Sequence, residues 1–280
     1  MKNLKFYIFG LLFLSLNFIS CNKDENLNLN VDKQLITTSS KIDLTNELDF
    51  NSGIDVSNNY SSYSNRLNTI SQSNSVLSCA TVTVNNPTPG VFPKSFTVDF
   101  GTGCNNNGIT RSGIITITIS NYILNSGSIM TIQRGNNYYV NGEKIEGTIV
   151  YENTTVNPNI PQWTRTITNG KITTSSGIVF NHYGTRTVKQ IEGANTLIFV
   201  DNIYEITSGN HTIIKEGGFP LNITVVEPLI KKYTCNNISQ GKLKLLGSFL
   251  DGILDYGNNQ CDNLATYTHS NGSAYNITLN

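Results

Sequence analysis

Apolar and polar residues alternate over long stretches of this chain. Phe96, Val98 and Phe100 alternate with Thr97 and Asp99, and Ile115, Ile117 and Ile119 with Thr116 and Thr118. Tyr275, Ile277 and Leu279 alternate with Asn276 and Thr278. A period of two is what a strand shows when one face of its sheet is buried. Asn-Gly pairs punctuate the run at 141–142, 169–170 and 271–272. Asn-Gly favours the type I′ hairpin turn, because both central residues need positive φ. The stretch Arg165–Thr174 therefore predicts a tight hairpin in which Ile167 pairs with Ile172. No helical stripe of comparable strength appears. The pattern predicts an all-β domain over residues 76–280, an antiparallel meander forming a sandwich or an open barrel.

Residues 22–75 break this pattern. They are polar, with clusters such as Ser57-Asn58-Asn59-Tyr60-Ser61-Ser62. The segment reads as a disordered tether whose one candidate element is a short helix around Lys41–Leu48. As a flexible coil of about 50 residues it would span roughly 40 Å. Ahead of it, Lys2 and Lys5 precede an apolar run of about 14 residues from Phe6 to Ile19. That length suits a signal-peptide core and falls short of the ~20 residues a membrane-spanning helix needs. Residues 1–20 read as a signal peptide. Ser20-Cys21 resembles a lipobox, with Phe18 where Leu is usual, so Cys21 is the expected lipid-bearing first residue of the mature chain. Two or more acyl chains on that residue would hold the protein stably on a membrane. Asn22-Lys23-Asp24-Glu25 resembles the signal that sends Bacteroidota lipoproteins to the outside of the outer membrane. The expected location is the outer membrane, lipid-anchored, at the cell surface.

Charge and cysteine usage narrow the reading further. Formal net charge is zero and 14% of residues are charged, so nucleic-acid binding lacks its electrostatic drive. Of five cysteines, one is the lipid site. The other four, in an oxidising compartment, predict disulfides. Four cysteines allow three connectivities. The near-equal spacings favour Cys79–Cys104 and Cys235–Cys261; a zinc site lacks the close cysteine pairs such sites show. An internal echo agrees with this pairing. Val98-Asp99-Phe100-Gly101 precedes Cys104, and Leu254-Asp255-Tyr256-Gly257 precedes Cys261. Two related, disulfide-clipped units, 79–120 and 235–280, are expected to flank a central meander.

Several ordered motifs carry a family resemblance. Phe92-Pro93-Lys94-Ser95-Phe96-Thr97-Val98-Asp99-Phe100-Gly101-Thr102-Gly103-Cys104 is followed by Arg111-Ser112-Gly113. Tyr139-Val140-Asn141-Gly142-Glu143-Lys144-Ile145-Glu146-Gly147-Thr148 and Thr168-Asn169-Gly170-Lys171-Ile172-Thr173-Thr174 come next. Asp255-Tyr256-Gly257, Cys261-Asp262-Asn263 and Ala265-Thr266 close the chain. The set resembles an uncharacterised family of Bacteroidota lipoproteins over about residues 79–280. The resemblance implies a surface or periplasmic lipoprotein and carries no activity.

Candidate chemistry is sparse. His182, His211 and His269 lack the spacing of paired strand ligands and read as surface or turn residues. Glu143 and Glu146, three apart on a strand, point to opposite faces. Asp99 and Asp255 could form the carboxylate pair a glycosidase needs only if the two echoed units met. No Gly-x-Ser-x-Gly elbow is present, and Gly101-Thr102-Gly103 lacks a phosphate-loop lysine. Asp255, Asn258, Asn259 and Asp262 crowd oxygens in a way calcium could use, although tight turns demand the same residues. Tyr138, Tyr139 and Trp163 lie near hairpins and could stack on sugar rings. The sequence thus predicts a binding or scaffolding lipoprotein without a cofactor, with a glycan or an envelope protein as partner. The rival reading is an extracellular polysaccharide-acting enzyme such as a glycoside hydrolase.

Overall fold

A computed structural model describes residues 23–60 and 75–279, with side chains over 33–59 and 75–279. The signal peptide and Cys21 lie outside the described residues. The all-β expectation is met by one antiparallel sheet of sixteen strands. Its path runs through β1 (Thr81–Val84), β2 (Lys94–Asp99), β5 (Ile114–Ile119), β6 (Ile129–Arg134), β8 (Glu143–Asn153) and β9 (Gln162–Thr173). It continues through β10 (Val179–Glu192), β11 (Ile203–Lys215), β12 (Pro220–Lys232) and β13 (Gln240–Leu246). β14 (Asp251–Asn258), β15 (Leu264–His269) and β16 (Ala274–Thr278) complete it. A side branch of β3 (Cys104–Asn106), β4 (Ile109–Ser112) and β7 (Tyr139–Val140) joins at β8. β1 and β16 end the path without pairing to each other. The structure is therefore the open-barrel form of the expected meander, not a two-sheet sandwich.

The alternating pattern does what it predicts. Phe96 and Val98 on β2 and Ile115, Ile117 and Ile119 on β5 are fully buried, while the threonines between them face outward. The Asn-Gly pairs behave differently from one another. Asn141 and Gly142, at φ 49° and 80°, form the expected two-residue turn between β7 and β8. Asn271-Gly272 lies in the loop between β15 and β16. Asn169-Gly170 corrects the hairpin expectation, because β9 runs straight through it. Register with β8 slips between Glu146 and Thr148, and Ile167 and Ile172 pair with Ile149 and Ile145 rather than with each other. Asn169 keeps the positive φ of 51°, but here it serves a β-bulge, which bends the strand and sharpens its twist.

The larger correction concerns the tether. Residues 33–59 are not a flexible coil; they form most of a 38-residue helix, α1 (Lys23–Tyr60), about 57 Å long. Its buried positions run around the full circumference: Ile36, Ser40, Ile42, Thr45, Ser52 and Asp55 are all enclosed. A helix buried on every side needs surroundings on every side, and the curled sheet supplies them. Tyr151 on β8 donates to the Asn46 carbonyl (3.0 Å), Tyr204 on β11 to Asn51 Oδ1 (3.1 Å), and Lys33 lies 6.0 Å from the ring centre of Tyr275 on β16. Phe50 anchors the apolar part, with ring centroids of Tyr151, Trp163 and Tyr204 at 4.6, 5.1 and 5.6 Å.

Both predicted disulfides are present. Cys79 joins Cys104 with Cα atoms 5.4 Å apart, and Cys235 joins Cys261 at 5.1 Å. The echoed blocks share one geometry. Asp99 Oδ1 accepts from the Gly101 amide and Asp255 Oδ1 from the Gly257 amide, both at 2.8 Å, and Phe100 and Tyr256 point inward.

Candidate functional site

Charge has been moved to an unusual place in this molecule. The helix carries Asp43, Glu47, Asp49 and Asp55 into the lumen, and the wall answers with Arg111, Arg134, Arg165, Arg186 and Lys231. Asp49 is the best served: Arg134 Nε donates at 2.8 Å, Tyr138 Oη at 2.6 Å, and Arg111 stands 3.7 Å away. Arg186 donates to Asp43 at 2.6 Å and Lys231 pairs with Glu47 at 2.5 Å. Burial pushes the Glu47 carboxyl upward while Lys231 pulls it down. Burial likewise raises Tyr138 and Tyr204 far above the usual phenol range. In these pairings the carboxylates hold helix to wall, and Glu47 also lines a small pocket with Arg111, Lys231 and Tyr233.

His182 and His211 also correct their surface-or-turn reading. They are 1% and 2% exposed, with ring centroids 5.2 Å apart. Glycines make room for them. A Cβ on Gly170 would stand 2.4 Å from the His182 ring, and one on Gly184 would stand 2.3 Å from the Asn210 carbonyl oxygen and 3.0 Å from His211 Nδ1. Burial, reinforced in His182 by the neighbouring His211 and in His211 by Arg186, holds both imidazoles well below their ordinary range.

The sugar-stacking expectation fails for two of its three aromatics. Tyr138 and Trp163 are fully buried, the first donating to Asp49 and the second directing its indole N–H at the Ile123 carbonyl (3.4 Å). Only Tyr139, on β7, is exposed. The calcium candidates are engaged in turns. Asp255 accepts from Gly257, Asp262 from the Leu264 amide (3.0 Å) and Asn259 from Ser239 (2.7 Å), while Asn258 pairs across the ladder with Gln240. Among the described residues no group of three or more His, Cys, Asp or Glu side chains could hold a metal. Asp99 and Asp255 each serve their own turn. Glu143 pairs inward with Lys41 (2.6 Å) and Glu146 outward with Lys171 (2.7 Å), as their spacing predicted.

What the sequence reading missed is the rim. The register places the loops 85–93, 120–128, 154–161 and 193–202 side by side at one end of the barrel. The only charged residue in these four loops is Asp201, and Thr196 donates to its carboxylate at 2.9 Å. Yet they expose Leu124, Val156, Leu197, Ile198 and Val200, with Val156 94% open to solvent. Single exposed aliphatics are ordinary; a neighbouring set without charge is the mark of an interaction surface. The opposite end also exposes Phe219, Leu246 and Phe249, but there Lys215, Glu216 and the Lys244–Asp251 pair lie among them.

A pocket of about 230 Å³ opens in the uncharged rim. Ile123, Leu124, Leu197 and Ile198 form its walls, and Ile54 and Asn58 bring the last turns of α1 into it. Its floor is amide. Gln190 donates to Asn202 Oδ1 (2.9 Å), Asn202 donates to Tyr204 Oη (3.1 Å), and Tyr204 donates to Asn51 of the helix. A pocket with apolar walls and a few fixed polar groups has the make-up of a ligand site. The signal was present in the sequence as aliphatic, charge-free connections such as Asn195-Thr-Leu-Ile-Phe-Val200. A second, more open depression of about 600 Å³ lies on the outer wall at the Asn169-Gly170 bulge, beside Glu146, Lys171, Asn181 and the exposed Tyr183.

Comparison with protein-family models, with curated proteins and with solved structures returns no match to this chain.

Proposed function

We propose that this protein is a non-catalytic binding lipoprotein of the outer membrane, attached through Cys21, exposed at the cell surface, and binding an uncharged apolar peptide segment at its loop rim. The observation that carries the reading is the charge-free rim around an amide-floored pocket. Aliphatic walls take apolar side chains, and the Gln190–Asn202 amides match the polarity of a peptide backbone. Among the described residues no cation lines the pocket to meet an anionic ligand, and the one carboxylate of these loops, Asp201, already accepts from Thr196. The order of the motifs, the lipobox-like Ser20-Cys21 and the resemblance to Bacteroidota lipoproteins support the location.

The binding reading is tested by selecting peptides from a displayed random library on the purified protein. Enrichment of uncharged aliphatic sequences, lost in Leu197→Asp and Ile198→Asp, is the expected result. No enrichment, or enrichment indifferent to both variants, refutes it. The location is tested separately. Cys21→Ala should leave the membrane fraction or accumulate as precursor, and alanines at Lys23, Asp24 and Glu25 should shield the protein from external protease. A glycan version of the binding role has one specific support, the outer-wall depression, where Tyr183 offers a sugar-sized ring beside polar side chains. Loss of glycan-array binding in Tyr183→Ala, with the rim variants unaffected, would favour that version.

A further inference from the structure

The end of the barrel opposite the rim exposes two phenylalanines at the tips of neighbouring hairpins. Loop 216–219 joins β11 to β12, and loop 247–250 joins β13 to β14. β12 and β13 pair with Asn222 opposite Leu246, which sets the two tips side by side. A Cβ on Gly247 would stand 3.2 Å from Leu221 Cδ1 and 3.6 Å from the Pro220 carbonyl oxygen. A third tip, 270–273, adjoins the second, and there the Ser270 amide donates to the Asp251 carbonyl at 2.7 Å. Phe219 is 70% open to solvent, Leu246 52% and Phe249 47%. Apolar surface of this kind is disfavoured in water and marks a contact.

What surrounds these rings differs from the rim. Lys215 and Glu216 flank the first tip, and Lys244 pairs with Asp251 at the base of the second. Those four charges cancel, so apolar projections stand among balanced ionic groups. The centre of a protein–protein interface is depleted of charge. The surface of a bilayer accepts both: rings sink to the acyl boundary while lysine stems carry their ammonium groups back to the headgroups. The chain also brings a membrane within reach. Lys33 of α1 lies 6.0 Å from the ring centre of Tyr275, just past the third tip. α1 starts at Lys23, about 15 Å along the helix from Lys33, and Cys21 stands two residues earlier.

We infer, resting on the lipid-anchor reading of Cys21, that the Phe219 and Phe249 tips seat in the surface of the bilayer that holds that lipid. The lipid retains the protein, and the two rings fix which end of the barrel meets the membrane. Loop 193–202 of the rim leads into the other end of β11, so the docked barrel turns its pocket outward.

The test uses the lipidated protein reconstituted in phosphatidylcholine vesicles whose acyl chains carry bromine near the headgroup. Phe219→Trp and Phe249→Trp place a fluorophore at each tip, and Val156→Trp places one at the rim. All three positions are exposed, so the replacements leave the core untouched. Trp163, enclosed beside Phe50, gives every variant the same background. Bromine should quench both tip fluorophores and spare the one at the rim. Tip fluorophores that escape quenching overturn the inference, as does equal quenching at tip and rim. The mass of the protein shows independently whether Cys21 bears lipid. If it does not, the lipid-anchor reading fails by itself, and the tips are tested by flotation of the purified chain with the same vesicles. Partitioning that falls about tenfold in each of Phe219→Ser and Phe249→Ser supports the contact. No partitioning, or partitioning indifferent to both variants, overturns it.

Discussion

The lumen and the rim of this barrel invert the usual distribution of polarity. Inside, between helix and wall, sit buried carboxylates, guanidinium groups and imidazoles. Outside, at one end, sit aliphatic side chains with almost no charge near them. Ion pairs in a buried interface add little net stability, because desolvation offsets their attraction. What they add is position: Asp49 between Arg134, Tyr138 and Arg111 fits only one rotation and depth of α1. The rim has the opposite character. It contributes little to holding the fold together and exposes surface that water disfavours. The difference separates a region that fixes the architecture from one available to a partner.

The largest effect should come from the inside. Asp49→Ala leaves Arg134 buried without its carboxylate and should cost about 3–5 kcal/mol, read from urea midpoints. A loss under ~1 kcal/mol would mean that the helix is held by its apolar residues instead. Next in size, removing Cys79–Cys104 or Cys235–Cys261 should each cost about 3.5 kcal/mol in the chain-entropy model, nearly equal because the loops are nearly equal. Unequal losses would show that one clip also restrains the native wall.

A smaller effect is expected from pH. His182 and His211 have folded-state values depressed below the unfolded value of about 6.5. The unfolded chain therefore takes up protons first as pH falls. The stability these residues contribute is complete above about pH 6.5 and is lost below it, by up to about 1.4 kcal/mol per pH unit for each histidine. Burial raises Glu47 and Asp55, which acts in the opposite sense at lower pH, so the clean measurement is a difference. His182→Gln with His211→Gln should flatten the curve between pH 7.5 and 5.5 relative to the unaltered protein. The smallest effect on stability belongs to the rim. Ile198→Asp and Leu197→Asp should stay within about 0.5 kcal/mol of the parent while abolishing peptide binding. Marked unfolding would assign those residues to the core and end the contrast.

Much of the wall was legible in the sequence. Strict alternation around Phe96–Phe100 and Ile115–Ile119 gave the strands their inward faces, and matched spacings gave the cysteine pairs. The central helix was not legible, for a physical reason. It is buried all round in a partly ionic environment, so Ser, Thr, Asn and Asp are hidden among Leu35, Ile36, Ile42, Phe50 and Val56, and no apolar stripe records one hidden side. The clue lay in the strands. Arg165 occupies an inward position between Trp163 and Ile167, and an arginine turned inward calls for an acid that its cross-strand neighbours, Tyr151 and Arg186, do not supply. Asn169-Gly170 misled because a bulge and a type I′ turn ask for the same positive φ. The rim went unread because charge-free loops look like spacers until the register sets them side by side.

The helix is early in the chain, and its partners are late. Asp43 meets Arg186 across 143 positions of sequence, and Ser40 bonds to Asn237 across 197. If the chain crosses a membrane N-terminus first, the helix arrives before anything that could receive it. It waits as a polar segment that neither aggregates nor folds alone, since its acids stay solvated until the arginines appear. Contacts of such long separation form slowly. Assembly of this barrel should therefore be a single late event, gated by completion of the strands through β16, with the first-made segment among the last to settle.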